Sequence, residues 1–275
     1  MPAAVERHVA RQSIERVHDG SRERDRDDLA VEEPLEIRVD AVPLAVTMRT
    51  PGEDEELAAG FLAGEGLIAG PDDIDSVGPS ADLAANVIEV RTRAGLRRDP
   101  AAERTFHLTS SCGVCGKAAL EHVRVAAPFD APVAEPLAEA VVAAAPDAIR
   151  REQHAFDRTG GLHATGLFAT DGELLVVRED VGRHNAMDKA IGSELLAGRW
   201  PLHGAFACVS GRASFELVQK AVLAGLAGLV AVGAPSTLAV SLARDHGMLL
   251  CGFVRGGRFN IYSGGECVSS ERGST

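Results

Sequence analysis

The sequence has few aromatic residues and no surplus of basic ones. Phe, Trp and Tyr make up 4% of the 275 residues, so small side chains must do much of the core packing. The formal net charge is −12, which argues against a protein that binds nucleic acid by neutralising phosphates. With 45% hydrophobic and 25% charged residues, the composition is typical of a soluble globular protein of one or two domains.

Long apolar segments are also missing. The longest apolar run, residues 221–234, is too short to cross a bilayer and contains three glycines. The first 16 residues are charged and have no continuous apolar core, so they do not predict a signal peptide. The five cysteines lack the spacing of a disulfide framework. Together these absences predict a protein of the reducing cytoplasm that does not contact a membrane.

The first half of the chain predicts a tail followed by a small α+β domain. Residues 1–28 hold six arginines and seven acidic residues with little apolar periodicity, which predicts a disordered or frayed tail. Within a domain at 29–127, we expect two strands over 35–47, a helix capped by Thr50, and a strand over 86–92. Residues 128–136 contain three prolines and are interpreted as a linker.

The second half, residues 137–275, predicts a layered α/β domain. Two helical segments are expected on either side of Pro146, followed by a hairpin closed at Asp171-Gly172. Helices and strands then alternate at the spacing of a partly parallel sheet. The predicted fold class is therefore α/β (α+β overall), with the smaller domain at the N-terminus.

A pair of cysteines, Cys112 and Cys115, is the clearest chemical signal. The stretch Ser110-Ser111-Cys112-Gly113-Val114-Cys115-Gly116-Lys117 fits a zinc half-site, a redox dithiol or a persulfide carrier. Zinc is not favoured, because the remaining cysteines, Cys208, Cys251 and Cys267, are isolated. The flanking small residues also fit poorly with thioredoxin-like chemistry. A carrier loop fits better, since Lys117 and a following helix N-terminus would lower the pKa of a thiol.

Four polar clusters fall at predicted element ends in the second half, where ligand sites of open α/β sheets gather. They are Thr159-Gly160-Gly161-Leu162-His163, Glu179-Asp180-Val181-Gly182-Arg183-His184-Asn185 with Asp188 and Lys189, Ser210-Gly211-Arg212-Ala213-Ser214, and Phe253-Val254-Arg255-Gly256-Gly257-Arg258. Each has a purely structural alternative: a tight turn with a satisfied histidine, or a helix cap with surface ion pairs. If the clusters converge, their arginines and free amides predict a nucleotide-like or polyanionic ligand.

Several of these stretches together resemble the formate dehydrogenase accessory sulfurtransferases of the FdhD/NarQ family. The resemblance runs from about residue 32 to 262, through the cysteine stretch and the four polar clusters. The other matching stretches are Thr50-Pro51-Gly52, Glu56-Leu57-Ala58, Gly60-Phe61-Leu62, Ala234-Pro235-Ser236 and Gly252-Phe253-Val254-Arg255.

The resemblance implies a sulfur carrier for molybdenum cofactor maturation. Such proteins accept sulfur from a cysteine desulfurase as a persulfide, which falls on Cys112 here. They pass it to bis(molybdopterin guanine dinucleotide) molybdenum cofactor before that cofactor enters formate dehydrogenase. Cys115 is the second candidate catalytic residue, with its role open. The expected cofactor-binding residues are Gly160, Gly161, His163, Arg183, His184, Ser210, Arg212, Phe253, Val254, Arg255, Gly256, Gly257 and Arg258.

The resemblance also implies a homodimer and a C-terminal three-layer domain like that of cytidine deaminases, with a mixed sheet. Deamination is not expected, because His163-Ala164-Thr165 is no His-x-Glu motif and no Pro-Cys-x-x-Cys follows. No metal ligands are predicted. Two other interpretations remain: a non-catalytic cofactor chaperone whose cysteines hold zinc, and a dithiol oxidoreductase.

Overall fold

The computed structural model describes residues 7–80, 86–97, 129 and 136–270. These residues form a four-stranded sheet, a six-stranded sheet and two two-stranded sheets. Cys112 and Cys115 lie outside the described residues, as does most of the linker predicted at 128–136.

The first strands of the described residues, β1 (Val9–His18) and β2 (Ser21–Ala30), form an antiparallel hairpin. The prediction of a disordered or frayed tail is therefore wrong for these residues. Asp19 and Gly20 form the turn with φ of 48° and 82°, the left-handed angles that two-residue hairpin turns need. Cross-strand ion pairs link the strands: Arg16 Nη2 lies 3.0 Å from Asp25 Oδ2. Charged residues that predict disorder in the sequence therefore form ion pairs between the two strands of the hairpin.

The N-terminal sheet packs on one helix. Its strands are β3 (Glu33–Val39), β4 (Val42–Arg49), β5 (Ile74–Pro79) and β6 (Val87–Thr92), in the order β4-β3-β6-β5. Helix α1 (Asp54–Gly64) buries Leu57 and Leu62 against Ile37 and Val90 of the sheet. The strands predicted at 35–47 and 86–92 are thus confirmed.

The C-terminal domain alternates helices and strands after a short strand and two helices. Its elements are β7 (Leu137–Ala138), α2 (Glu139–Glu152), α3 (His154–Thr159), β8 (His163–Ala169), β9 (Leu174–Asp180), α4 (Arg183–Leu196), β10 (Ala205–Val209), α5 (Phe215–Leu223), β11 (Gly228–Ala231), α6 (Thr237–Asp245), β12 (Leu249–Arg255), β13 (Arg258–Ser263) and β14 (Val268–Ser269). Within the described ranges, no helix is long and apolar enough to cross a membrane.

The six-stranded sheet has the order β13-β12-β11-β10-β8-β9 and is covered on both faces. Strands β10, β11 and β12 are parallel, whereas β8 is antiparallel to β9 and β10. Along β10, Ala207 and Val209 pack into the core that α4 and α5 share, while Phe206 packs with Ile149 of α2 on the opposite face. The predicted three-layer domain with a mixed sheet is confirmed.

Two details of the C-terminal domain differ from expectation. Helix α2 continues through Pro146, so the predicted break there is wrong; the proline ring removes one backbone donor without ending the helix. Leu137 belongs to β7 rather than to a helix, and it pairs in parallel with Val268 of β14.

Helices α1 and α4 join the two halves by backbone contact. A Cβ atom on Gly60 of α1 would lie 1.8 Å from the Asp188 carbonyl oxygen, and one on Gly192 of α4 would lie 1.9 Å from the Glu56 carbonyl oxygen. No side chain fits at either position without separating the helices. These two glycines therefore fix how the N-terminal sheet sits on the C-terminal domain.

Gly192→Ala is expected to lower the free energy of unfolding by about 1–3 kcal/mol, because the new methyl group must push the helices apart. Urea denaturation measures this change. Gly78→Ala is the control, since a Cβ there has no heavy atom within 4 Å. We expect the control to stay within about 0.5 kcal/mol of the wild type. Equal stability of the two variants would contradict the close helix crossing.

Candidate functional site

The predicted polar clusters meet at one edge of the six-stranded sheet. Because β8 is antiparallel to β10, its first residues lie beside the last residues of β10, β11 and β12. The Ser210 hydroxyl accepts a hydrogen bond from the Ala164 amide at 2.9 Å, and the Gly233 amide donates to the Gly211 carbonyl at 2.9 Å. The amide of Phe253 donates in turn to the Gly233 carbonyl at 3.1 Å. The clusters around residues 160, 210 and 253 are therefore brought together.

A pocket of about 570 Å³ opens at this edge, on the side of the sheet that α2 covers. Six predicted residues line it: Gly160, Gly161, His163, Ser210, Val254 and Arg255. Seven predicted residues are not among its lining: Arg183, His184, Arg212, Phe253, Gly256, Gly257 and Arg258. A volume of this size is typical of a small-molecule site.

Helix α2 and the residue that caps its end, Gln153, supply pocket residues that the sequence does not predict. This residue is only 3% exposed and lines the pocket. Its main chain is paired, with the carbonyl accepting from the Asp157 amide at 3.0 Å. Its side-chain amide has no hydrogen bond to any residue that the structure describes. An amide that lines a pocket and makes no hydrogen bond to the protein is able to donate to and accept from a ligand there, so Gln153 marks a polar recognition point.

Arg150 stands one helical turn before Gln153 at the pocket wall. Its guanidinium carbon lies 4.9 Å from the centre of the Phe156 ring, and its Nη2 atom donates to the Asp157 carboxylate. These contacts hold the guanidinium in place beside the pocket. Arg255 also lines the pocket, which therefore has two cations that are able to bind an anionic ligand.

The Gly160-Gly161 turn is positioned by a partly buried carboxylate. Glu179 accepts hydrogen bonds from the amides of Ala155 at 2.9 Å and Phe156 at 2.8 Å, which anchors the first turn of α3. Burial raises the pKa of Glu179, and these two hydrogen bonds oppose the rise. Helix α3 then ends at Gly160, whose φ of 64° is left-handed. Glu179 thus acts on the pocket through α3, without lining it.

A second polar group lies where α4 and α5 begin. His184 Nε2 is 3.3 Å from the Ser214 hydroxyl. Burial lowers the pKa of His184 to about 3, and the positive charges of Lys220 and Arg183 act in the same direction. Burial and Arg183 also lower the pKa of His163. Both histidines are consequently neutral near pH 7 and serve as hydrogen-bonding groups rather than as cations.

The segment from Phe253 to Arg258 forms the β12–β13 hairpin. Gly256 and Gly257 make its turn with φ of 56° and 74°, and Arg255 pairs with Arg258 across the strands. Phe253 has a left-handed φ of 55° and is 53% exposed. A bulky residue held at such an angle is unusual and points its side chain away from the regular strand pattern. Arg255 thus lines the pocket, whereas Phe253 and Arg258 are not among its lining residues.

Most of the Glu179–Lys189 block is a buried clamp between the two domains. Lys189 Nζ lies 2.9 Å from Asp180 Oδ2, and both side chains are fully buried. Lys189 also donates to the Thr50 carbonyl at 2.8 Å, while Asp180 accepts from the Thr50 amide at 3.1 Å. The Thr50 hydroxyl accepts from the Val181 amide, so Thr50 joins the domains and does not cap α1 as predicted.

A second buried ion pair involves Asp188, the residue of α4 that directly precedes Lys189. Lys220 Nζ of α5 is 2.8 Å from Asp188 Oδ1 and 3.2 Å from Glu65 Oε1. Burial raises the pKa of Asp188 to about 7 in spite of this neighbour. Burial lowers the pKa of Lys220, but the attraction of Asp188 and Glu65 outweighs it, so the net shift is upward. This pair ties α1, α4 and α5 together.

Three of the five cysteines lie in the described residues, and none is activated. Cys208 and Cys251 are buried in strands β10 and β12. Burial raises the pKa of both thiols, in Cys251 to about 12. Burial and the neighbouring Glu266 raise the pKa of Cys267. All three stay protonated near pH 7, and a thiol is a poor nucleophile. Within the described ranges, no group of three or more His, Cys, Asp or Glu side chains could hold a metal ion.

Comparison with known proteins places this sequence in a recognised group. Residues 30–269 match the model of the FdhD/NarQ family. The chain is 49% identical over 273 residues to a protein of Streptomyces coelicolor named "Sulfur carrier protein FdhD", covering 96% of each chain. A Mycolicibacterium paratuberculosis protein of the same name is 52% identical over 244 residues, which is 86% of this chain and 89% of the relative.

A solved structure shares the fold. The crystal structure of a putative formate dehydrogenase accessory protein from Desulfotalea psychrophila superposes with a TM-score of 0.74 and 24% sequence identity. The match covers 95% of this chain and 99% of the other. The fold deduced from the strand order is therefore one that occurs in a known structure.

Proposed function

The chain belongs to the FdhD/NarQ family, and on this premise we propose that it is a sulfur carrier that serves the maturation of formate dehydrogenase. The observation that supports this proposal most strongly is the similarity to proteins named "Sulfur carrier protein FdhD", about half identical over nearly the whole chain. Identity at this level over nearly the whole chain supports a shared function as well as a shared fold.

Cys112 is the proposed acceptor of sulfur. Its thiolate attacks the terminal sulfur of a persulfide on a cysteine desulfurase, the donor cysteine leaves as a thiolate, and Cys112 becomes the persulfide. No oxidant is consumed, because one sulfur–sulfur bond breaks as another forms. Cys208 and Cys251 are buried, and the raised pKa values of Cys208, Cys251 and Cys267 disfavour all three thiols as nucleophiles. Uptake is thus left to Cys112 or Cys115, and the family resemblance favours Cys112.

The proposed sulfur acceptor is the molybdenum of bis(molybdopterin guanine dinucleotide), with a nucleotide arm of this substrate in the pocket beside α2. Arg150 and Arg255 have the charge for a diphosphate, and the Gly160-Gly161 turn lets a ligand approach the backbone. The amide of Gln153 can both donate to and accept from a base edge. His163 and Ser210 add neutral hydrogen-bonding groups at the pocket wall.

Gln153→Leu is expected to weaken the binding of guanosine diphosphate about 5- to 150-fold, the range for losing hydrogen bonds to a buried polar group. Isothermal titration calorimetry measures this change. Because the Gln153 amide has no partner in the described residues, the variant should be as stable as the wild type or more so. Reduced affinity at undiminished stability therefore separates recognition from folding. Unchanged affinity would exclude Gln153 as a binding residue.

The proposed partners follow from the same scheme. A cysteine desulfurase donates the sulfur, formate dehydrogenase receives the sulfurated cofactor, and the carrier acts as a homodimer. The clamp of Asp180, Lys189 and Thr50 ties the segment just before α1 to the domain with the pocket. Such a connection suits a protein that must bring a persulfide to a bound cofactor.

Incubation of the full chain with a cysteine desulfurase and sulfur-34 cysteine tests the proposal. The peptide from residue 105 to 117 lies between tryptic sites and contains both Cys112 and Cys115, so fragment ions must locate the label. One added sulfur on Cys112 is the expected result. A protein that takes up no sulfur, or takes it up on Cys208, Cys251 or Cys267, would overturn the proposed function.

A further inference from the structure

The N-terminal hairpin is an exposed arm that the proposed function does not use. The family model begins at residue 30, where the hairpin ends. Residues 15–27 are exposed throughout, while Asp28 at the base is held by Arg158 of α3 at 2.8 Å. Strands β1 and β2 pair only with each other among the described residues, so each has a free edge. Free edges are templates for a further strand.

The register of the hairpin decides which residues face each free edge. Val31 donates to the His8 carbonyl at 2.9 Å, and His18 pairs with Ser21 at the two-residue turn. Hydrogen-bonded pairs alternate with non-bonded ones along an antiparallel ladder. The even-numbered residues of β1 therefore point their backbone groups into the hairpin. The odd-numbered residues of β1, and the even-numbered residues of β2, point theirs outward.

The outer edge of β2 cannot pair well with itself. Its outward residues include Arg22, Arg24 and Arg26, and outward residues must pair with outward residues. In registers that overlap these residues, a second β2 strand sets arginine against arginine. The acidic residues between them, such as Glu23 and Asp25, then meet on the opposite face. Like charges directly across a strand pair are destabilising, so the sequence protects this edge.

The outer edge of β1 has the opposite property, and we propose that it pairs with β1 of a second copy of this chain. With the twofold axis at Ser13, Arg11 of one copy lies opposite Glu15 of the other, and Val9 lies opposite Val17. Each such pair exchanges two backbone hydrogen bonds across the interface. The two hairpins then form one four-stranded antiparallel sheet.

The contacts within each hairpin extend this arrangement into a charge network. Arg11 Nε already lies 3.8 Å from Asp28 Oδ1, and Arg22 Nη1 lies 3.0 Å from Glu15 Oε2. Across the axis, charges therefore alternate from Asp28 through Arg11 to Glu15 and Arg22 of the second copy. Val17, 60% exposed in the single chain, gains an apolar partner. The inference specifies an interface for the proposed homodimer and does not depend on sulfur transfer.

Charge reversal at the two central positions tests the pairing. Arg11→Glu alone and Glu15→Arg alone each turn both central pairs into like-charge pairs, so each should raise the dimer dissociation constant at least about tenfold. An equimolar mixture of the two variants should form a heterodimer, because an acidic side chain then faces a basic one in both central pairs. Analytical ultracentrifugation over a range of concentrations measures both effects. Asp27→Arg is the control, since Asp27 lies on β2 opposite the neutral Gln12.

The possible outcomes distinguish the proposed β1 interface from the proposed homodimer and from sulfur uptake. Wild-type dimers that dissociate as readily as either single variant would place the interface elsewhere and leave the proposed homodimer intact. A wild type that stays monomeric at every concentration would overturn both. Sulfur uptake is measured independently on the same proteins, so its failure would not be mistaken for a failure of dimerisation. Recovery of the heterodimer shows that the variants are folded.

Discussion

Cys112→Ser is expected to abolish the transfer of sulfur-34 from a cysteine desulfurase to the protein. A serine hydroxyl does not form a persulfide, and no other thiol in the described residues is able to replace Cys112. Cys208 and Cys251 are buried in the central sheet, and burial raises the pKa of both. The reaction requires a thiolate that can reach the donor sulfur. Mass spectrometry of the intact protein gives the loss directly.

Two other substitutions are matched controls for this prediction. Cys115→Ser keeps Cys112 and should still acquire one sulfur, located by fragment ions. Cys267→Ser removes the most exposed of the described thiols, whose pKa burial and Glu266 raise, and should label like the wild type. If Cys112→Ser retains the label and Cys115→Ser loses it, uptake occurs at the second cysteine. If both retain it, the double variant Cys112→Ser/Cys115→Ser decides, and label on that protein would exclude both cysteines as the carrier.

The sheet edge could be predicted from the sequence because it depends on local signals. Glycines and polar residues follow β10 and β12 and precede β8, and strand direction alone brings such ends together. This argument predicts Gly160, Ser210 and Arg255 as site residues, and all three line one pocket. The same argument could not tell that Arg183 and His184 lie outside that pocket. Their position depends on the face of the sheet that α4 covers.

Gln153 shows what sequence patterns do not reveal. In the sequence it stands near the end of a helix among charged residues, where an exposed side chain is the ordinary expectation. Its burial arises because α2 continues past Pro146 and packs Ile149 against the sheet. The sequence does not predict the N-terminal hairpin for a different reason: its strands carry cross-strand ion pairs, such as Arg16 with Asp25, and have no continuous hydrophobic face.

Lys189→Met is expected to lower the free energy of unfolding by about 3–5 kcal/mol, the cost of leaving one partner of a buried ion pair without the other. Asp180 is fully buried, and Lys189 is the cation nearest to it, at 2.9 Å. Methionine has a similar length, so little volume is lost. The hydrogen bond to the Thr50 carbonyl also disappears, which loosens the contact between the domains. Urea denaturation measures the change.

Two further variants show whether burial is the reason. Arg16→Met breaks the exposed Arg16–Asp25 pair and should cost no more than about 1 kcal/mol. Asp180→Asn combined with Lys189→Met removes both charges, so the double variant should be more stable than Lys189→Met alone. The neutral side chain can still accept from the Asn185 amide, 3.0 Å from Asp180 in the wild type. A Lys189→Met protein as stable as Arg16→Met would contradict the clamp, and the domains would then be held mainly by the crossing of Gly60 and Gly192.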